Sequence, residues 1–150
     1  MRFLIQRVTS AEVSVEEQTI GSIARGYLVL VGISAGDTVE IADRMVQKML
    51  RLRIFADENG KTNLSLDQVQ GQLLLVSQFT LYANCRKGNR PSFLDAGDPD
   101  EARTLFDHIV EICRQSVPVV RTGSFGADMK VRLCNDGPFT IMLDSDEILG

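Results

Sequence analysis

Tyr27 to Ile33 reads YLVLVGI, a run without one charged side chain. A run this short and this apolar fits a strand covered on both faces, because a strand with one wet face would alternate. Gln72 to Phe79 predicts a second strongly apolar strand, with Leu73 to Val76 at its centre. Strands of this kind oblige the rest of the chain to supply cover.

Helical periodicity occurs twice. Asp37-Thr38-Val39-Glu40 has the form of a capping box, with Asp37 accepting from the third amide and Glu40 reaching back. Ala42, Met45, Val46 and Met49 then recur at helical spacing and predict a helix to about Leu50. A second helix is predicted from Asp98, with Pro99 at its first position and Glu101 completing the cap. Its buried stripe is Ala102, Leu105, Phe106, Ile109 and Cys113, and Pro118 stops it. Strands are predicted at Arg2 to Val8, Leu52 to Phe55, Val119 to Thr122, Met129 to Asn135 and Phe139 to Leu143. Glu12 to Val15 and Thr19 to Ala24 form a hairpin around Glu16-Glu17-Gln18. Asp57 to Gly60 is a turn and Asn84 to Asp98 a loop. Two helices are too few to cover both faces of so much sheet. The expected fold is α/β in the α+β sense: a curved, mostly antiparallel sheet or partly closed β-barrel with two flanking helices. At 150 residues, a single domain spanning 1–150 is expected.

Several function classes drop out. Charged residues make up 24% and hydrophobic residues 44%, the balance of a globular protein without a membrane span. The first residues alternate too much for a signal peptide. Three cysteines (Cys85, Cys113, Cys134) in no metal-type spacing, beside one histidine, argue against a zinc site and for a reducing cytoplasm. A net charge of −4 argues against a general nucleic-acid binder, though a local basic patch is compatible with it.

Familiar catalytic constellations are missing. A serine or cysteine triad needs a histidine base. His108, the only histidine, falls beside Asp107 and Glu111, away from the apolar stripe, so a surface position is expected. Cys113 lies inside the stripe as a core thiol, and Cys85 reads as an incidental loop thiol. The acidic pairs Glu16/Glu17, Asp57/Glu58, Asp98/Asp100 and Asp144/Asp146 all sit in turns, caps or the terminus. No glycine-rich loop has P-loop or Rossmann form.

Two segments stand out. Ser77-Gln78-Phe79-Thr80-Leu81-Tyr82-Ala83 puts polar residues at the end of a buried strand. That suits a site, or equally the satisfaction of backbone groups where a strand ends. Asn135-Asp136-Gly137-Pro138-Phe139-Thr140 is, on pattern alone, a plain turn.

Together, however, these segments resemble the two signature motifs of the D-aminoacyl-tRNA deacylase (D-tyrosyl-tRNA deacylase) family, in the forms of its bacterial/eukaryotic type. The likeness extends to Arg2–Val8, Lys48–Phe55, Lys87–Phe93 and Phe125–Met129, and so runs the length of the chain. The resemblance implies a cytoplasmic hydrolase that cleaves the ester of D-aminoacyl-tRNA, binding the 3′-terminal adenosine and acceptor stem, with no cofactor, metal or membrane. It implies a homodimer of barrel-like subunits with active sites at the interface. Ser77, Phe79 and Thr80 are then the candidate catalytic residues; Gln78, Gly137, Pro138, Met129 and Arg7 are the candidate substrate-binding residues. The Gly137–Pro138 peptide would be cis and reach the partner's pocket, barring L-amino acids while D-aminoacyl and glycyl esters pass. X-Pro is the one bond whose cis penalty is small, about 0.5–1 kcal/mol, and glycine lets backbone approach a ligand closely. Arg7 is charged within a core-like strand, and carbonyls around Gly137 would be suitable acceptors.

With no triad, the resemblance points to hydrolysis assisted by the tRNA 2′-OH, with the Phe79 and Thr80 amides as an oxyanion hole. The rival makes Thr80 a nucleophile, for which no base lies within sequence reach. Gln78 and Phe79 would hydrogen-bond and stack on the terminal adenine. Arg51, Arg53, Arg86, Lys87 and Arg90 are candidates for acceptor-stem phosphates, or simply a solvated face. The alternative function is a non-catalytic RNA- or nucleotide-binding homodimer of the same fold.

Overall fold

The structure, a computed structural model, describes residues 1–150. Its strands are β1 (Arg2–Val15), β2 (Gln18–Ile23), β3 (Gly26–Gly32), β4 (Phe55–Ala56), β5 (Thr62–Leu64), β6 (Gln72–Ser77), β7 (Val120–Thr122) and β8 (Met129–Asp144). Its helices are α1 (Val39–Arg51), α2 (Pro99–Ser116) and the short α3 (Ser145–Ile148).

The main sheet runs β2-β1-β3-β6-β7, with β8 also paired to β1. β3, β6 and β7 are parallel; β1 is antiparallel to β2, β3 and β8. Parallel neighbours need long crossovers, and α1 and α2 lie on the β3–β6 and β6–β7 connections. Both steps move the same way across the sheet. Crossovers of one hand therefore place both helices on one face. There Tyr27, Val29 and Val31 of β3, with Leu73 and Leu75 of β6, pack on Met45, Met49, Phe106 and Ile109. Each such buried side chain contributes about 1.5–3 kcal/mol.

The other face of the same strands is also buried. Leu28 of β3 with Leu74 and Val76 of β6 pack against Val8, Ala11, Val13 and Ile23. That cover comes from the sheet itself. β1 bends, and its far half curls over with β2 and β8. β2 comes so close to β7 that a Cβ on Gly21 would lie 3.0 Å from the Thr122 carbonyl oxygen. The result is a mixed, nearly closed barrel with helices outside. Where two strands were predicted at Arg2–Val8 and Glu12–Val15, one strand runs through. Its ladder with β8 shifts register twice, around Val8. Those shifts turn Phe3 and Ile5 toward the helices but Ala11 and Val13 into the barrel.

The local signals fare unevenly. Asp98 Oδ2 accepts from the amides of Asp100 and Glu101, with Pro99 in the first turn of α2. Glu16 and Glu17 turn the β1–β2 hairpin with φ of 50° and 66°, the positive angles that a tight hairpin demands. The cap of α1, by contrast, is Thr38, which accepts from the Ile41 amide. Asp37 is engaged elsewhere, accepting from the Met1 α-amine (3.0 Å) and the Ser34 amide (2.8 Å). The predicted Leu52–Phe55 strand shrinks to β4, because α1 extends to Arg51.

Two glycines separate close approach from backbone angle. A Cβ on Gly26 would fall 1.8 Å from the Gln72 carbonyl oxygen, at the first β3–β6 pair. Gly60 has φ of 76° and open space around it. Gly26→Ala should therefore cost more than about 3 kcal/mol, and Gly60→Ala only about 1–2 kcal/mol. Urea titration checks both, and equal losses would contradict this placement of β3 on β6.

Candidate active site

The β1–β8 ladder breaks once in a manner that builds a feature. Gln6 pairs with Thr140 and Val8 with Asn135, so the single residue Arg7 faces the four residues Asp136 to Phe139. These four leave the ladder as a wide bulge inside β8. Asp136 to Phe139 thus form an excursion from one continuous strand, where a turn between two strands was predicted.

Arg7 fills the gap. It is 9% exposed, and a buried guanidinium must find acceptors. Its Nη1 donates to the Ile54 carbonyl (2.6 Å), its Nε to the Asp136 carbonyl (3.1 Å) and its Nη2 to the Gly137 carbonyl (3.3 Å). The Asp136 carboxylate lies 3.2 Å from Nε. The Phe139 ring lies 4.4 Å from the guanidinium carbon, at cation–π distance. Asn135 closes the neck, its side-chain amide donating to the carbonyls of Arg7 (3.1 Å) and Phe139 (3.2 Å). The Gly137–Pro138 peptide is cis, and both residues are exposed. Around Gly137 an added Cβ would meet only the Asn135 side-chain oxygen, at 3.8 Å.

A second feature lies at the end of β6. Ser77, Gln78 and Phe79 line a cleft of about 240 Å³ whose walls include Val31, Ile33, Ala102 and the segment Phe125 to Met129. Past β6 the chain enters a single 3₁₀ turn, Phe79–Tyr82. The amides of Phe79 and Thr80 open that turn, where donors have no partner within it, and neither has an acceptor elsewhere in the subunit. The Phe79 ring is 59% exposed and stands edge-on to Phe93, with centroids 5.2 Å apart. The only side-chain partner of the Thr80 hydroxyl is the Gln78 amide, which donates to it. No carboxylate, imidazole or amine reaches that hydroxyl.

The structure thus brings Ser77, Gln78, Phe79 and Met129 together, sets Thr80 just beyond the rim, and leaves Arg7, Gly137 and Pro138 at a separate place. Asn135 and Ala102 escaped the sequence reading. Asn135 looked like turn chemistry, and Ala102 like one more residue of a buried stripe. His108, expected at the surface, is part-exposed and bridges the two helices, 2.7 Å from Asp43 of α1. Burial pushes the Cys113 thiol up to about 12, so it is no nucleophile. No three His, Cys, Asp or Glu side chains converge to hold a metal ion.

Residues 4–144 match the family described as D-Tyr-tRNA(Tyr) deacylase. A D-aminoacyl-tRNA deacylase of Teredinibacter turnerae is 57% identical, over 97% of this chain and 100% of that protein. One from Clostridium novyi is 51% identical, over 97% of each. Among solved structures, a protein named c-Myc DNA Unwinding Element Binding Protein superposes with a TM-score of 0.91 at 42% identity, over 97% of this chain and 99% of that one. A probable eukaryotic D-amino acid tRNA deacylase superposes with a TM-score of 0.84 over 95% of this chain and 97% of that one. At 20% identity, that second likeness speaks to the fold alone.

Removing the Arg7 guanidinium should release the bulge. Arg7→Met keeps the length of the side chain but deprives three carbonyls of their donor. Each acceptor that stays buried costs about 1–3 kcal/mol, so a loss of at least about 2 kcal/mol is expected in urea titration. A variant as stable as the wild type would mean that the bulge is held by something else.

Proposed function

The chain belongs to the D-Tyr-tRNA(Tyr) deacylase family and acts as a D-aminoacyl-tRNA deacylase, and we propose that its active site is composite, assembled from two copies of the chain. One observation carries this reading. The Gly137–Pro138 backbone stands exposed on its bulge, buttressed from behind by Arg7, while the cleft at Ser77 to Phe79 opens elsewhere on the same subunit. In a homodimer the bulge of one copy can reach the cleft of the other, which brings all the candidate residues to one place. No helix is long and apolar enough to cross a membrane, and we place the enzyme in the cytoplasm, beside the tRNA it edits.

In this site the terminal adenosine lies against Phe79, with Gln78 at hand for hydrogen bonding. The ester carbonyl points at the Phe79 and Thr80 amides, which lack other acceptors and can receive the developing oxyanion. The ester is already reactive, and the ribose 2′-OH assists its hydrolysis. Holding that hydroxyl and the ester in a reactive geometry is worth up to about 7–11 kcal/mol in favourable cases. Thr80 has no base at its hydroxyl, which disfavours it as a nucleophile. Met129 lines the cleft and offers an apolar wall. Chirality is set by exclusion: the partner's Gly137–Pro138 backbone occupies the space that an L side chain needs, and the D side chain points outward.

The second reading is a non-catalytic nucleic-acid-binding homodimer, which the name of one structural relative brings forward. Purified protein mixed with D-Tyr-tRNA decides between them. Release of D-tyrosine is expected, glycyl-tRNA should also be cleaved, and L-Tyr-tRNA should survive. Efficient cleavage of L-Tyr-tRNA, or full resistance of glycyl-tRNA, would overturn the exclusion mechanism. Thr80→Ala should keep activity within about tenfold, whereas a 2′-deoxy terminal adenosine should be far more damaging. A loss of about a thousandfold on Thr80→Ala, with the fold intact, is the scale of a principal catalytic group and would restore the nucleophile reading.

A further inference from the structure

Arg44, Lys48 and Arg51 follow one another along α1 at spacings of four and three residues, so they share one helix face. All three are exposed, and none takes part in any ion pair of the structure. Glu40, one turn before Arg44, leaves it unpaired. An unneutralised basic stripe is unexpected in a chain of net charge −4, where a solvated helix face would normally mix both signs.

The stripe continues into the surface around it. Arg44, Lys48 and Arg51 edge a shallow depression of about 280 Å³. Arg51 also edges a neighbouring one of about 480 Å³, with Arg53, Asn63, Ser65 and Gln68; Asp67 is its one acid. Arg53 is already committed to Asn63, donating to its carbonyl (2.8 Å) and its side-chain oxygen. The next residue, Ile54, gives its carbonyl to Arg7, which also holds Gly137. One end of the stripe, Arg51, is thus three residues from Ile54, which is tied to the buttress of the Gly137–Pro138 bulge. From Arg51 to Arg44 the stripe covers about 10 Å along the helix, at 1.5 Å per residue.

We propose that this α1 stripe is the docking surface for the sugar–phosphate backbone of the tRNA acceptor stem, held by the subunit that supplies Gly137–Pro138 to the active site. The proposal rests on the deacylase reading above and adds the route that the RNA takes away from the ester. Arginine forks and a lysine point charge suit phosphate oxygens. Phosphate contacts position a nucleic acid without reading its bases, as an enzyme serving many tRNAs requires.

The test compares wild type with R44Q/K48Q, in which glutamine preserves helix propensity. Binding of deacylated tRNA is followed between about 50 and 200 mM salt. The slope of log K against log salt should fall by about 0.7–0.9 for each phosphate that is no longer neutralised, roughly 1.5 for the pair. KM for D-Tyr-tRNA should rise with kcat unchanged. Hydrolysis of D-tyrosyl adenosine, which carries no stem, should not change. R44K/K48R, which keeps both charges, should keep the slope. An unchanged slope in R44Q/K48Q would overturn the proposal, and so would an equal loss on D-tyrosyl adenosine. If wild type failed to hydrolyse D-Tyr-tRNA, the deacylase reading would fall, and the salt slope with deacylated tRNA would still decide the stripe.

Discussion

Two parallel strands that are apolar on both faces need two layers of cover, and the architecture follows from that need. One face of β3 and β6 receives α1 and α2, because same-handed crossovers stepping in one direction leave both helices on one side. Nothing in the chain is left to make a third layer. The other face is buried only because β1, β2 and β8 curl over it, Val8, Ala11 and Val13 meeting Leu28, Leu74 and Val76. Curling a sheet takes irregularity in the long strands, and β1 and β8 carry it around Val8.

The same irregularity produces the bulge at Gly137–Pro138. A ladder that sets one residue of β1 against four of β8 leaves backbone groups without partners, and a buried guanidinium is suited to two of them, the Asp136 and Gly137 carbonyls, while it also holds Ile54. Arg7 looks anomalous in a core strand until its acceptors are identified. Its burial and the exposure of Gly137 and Pro138 are two sides of one arrangement, since the donors face inward while the glycine and proline stand toward solvent. Strand defects near functional sites commonly re-aim a segment in this manner.

The chemistry within reach is sparse, and that sparseness is informative. The cleft beside Ser77 holds no imidazole and no pair of convergent carboxylates. The lone histidine ties α1 to α2, and the buried thiol of Cys113 is held protonated by its surroundings. What the proposed composite site would draw on is backbone: free amides at the start of a 3₁₀ turn and, from the partner, an exposed peptide on a braced bulge. Such groups orient and stabilise; they do not attack. That fits the proposed mechanism, in which the substrate is already activated and brings its own hydroxyl.

Signals confined to a few neighbouring residues were legible in the sequence. The two-sided burial of Tyr27 to Val31, the buried stripes of both helices, the Asp98 cap and the Glu16-Glu17 hairpin all follow from side-chain type and spacing within one or two turns of chain. Arg7 was legible as an arginine in need of acceptors, and the two motifs as a family resemblance. The cap of α1 was not, because Asp37 and Thr38 are both competent acceptors. The choice fell to a remote group, the Met1 amine, which draws Asp37 away. Nor could Asn135 to Pro138 be told from an ordinary turn. Whether the chain reverses there or bulges and continues depends on what lies opposite, and that partner, β1, is more than a hundred residues distant. Sequence alone determined the two apolar strands, the two long helices and the faces they bury, since propensity and periodicity are local. The carbonyls around Gly137 were expected as acceptors for Arg7, and the structure supplies them; only the tertiary structure decided that Arg7 also holds the Ile54 carbonyl and that Ser77 meets Met129, because register between distant strands is settled by the joint closure of the barrel.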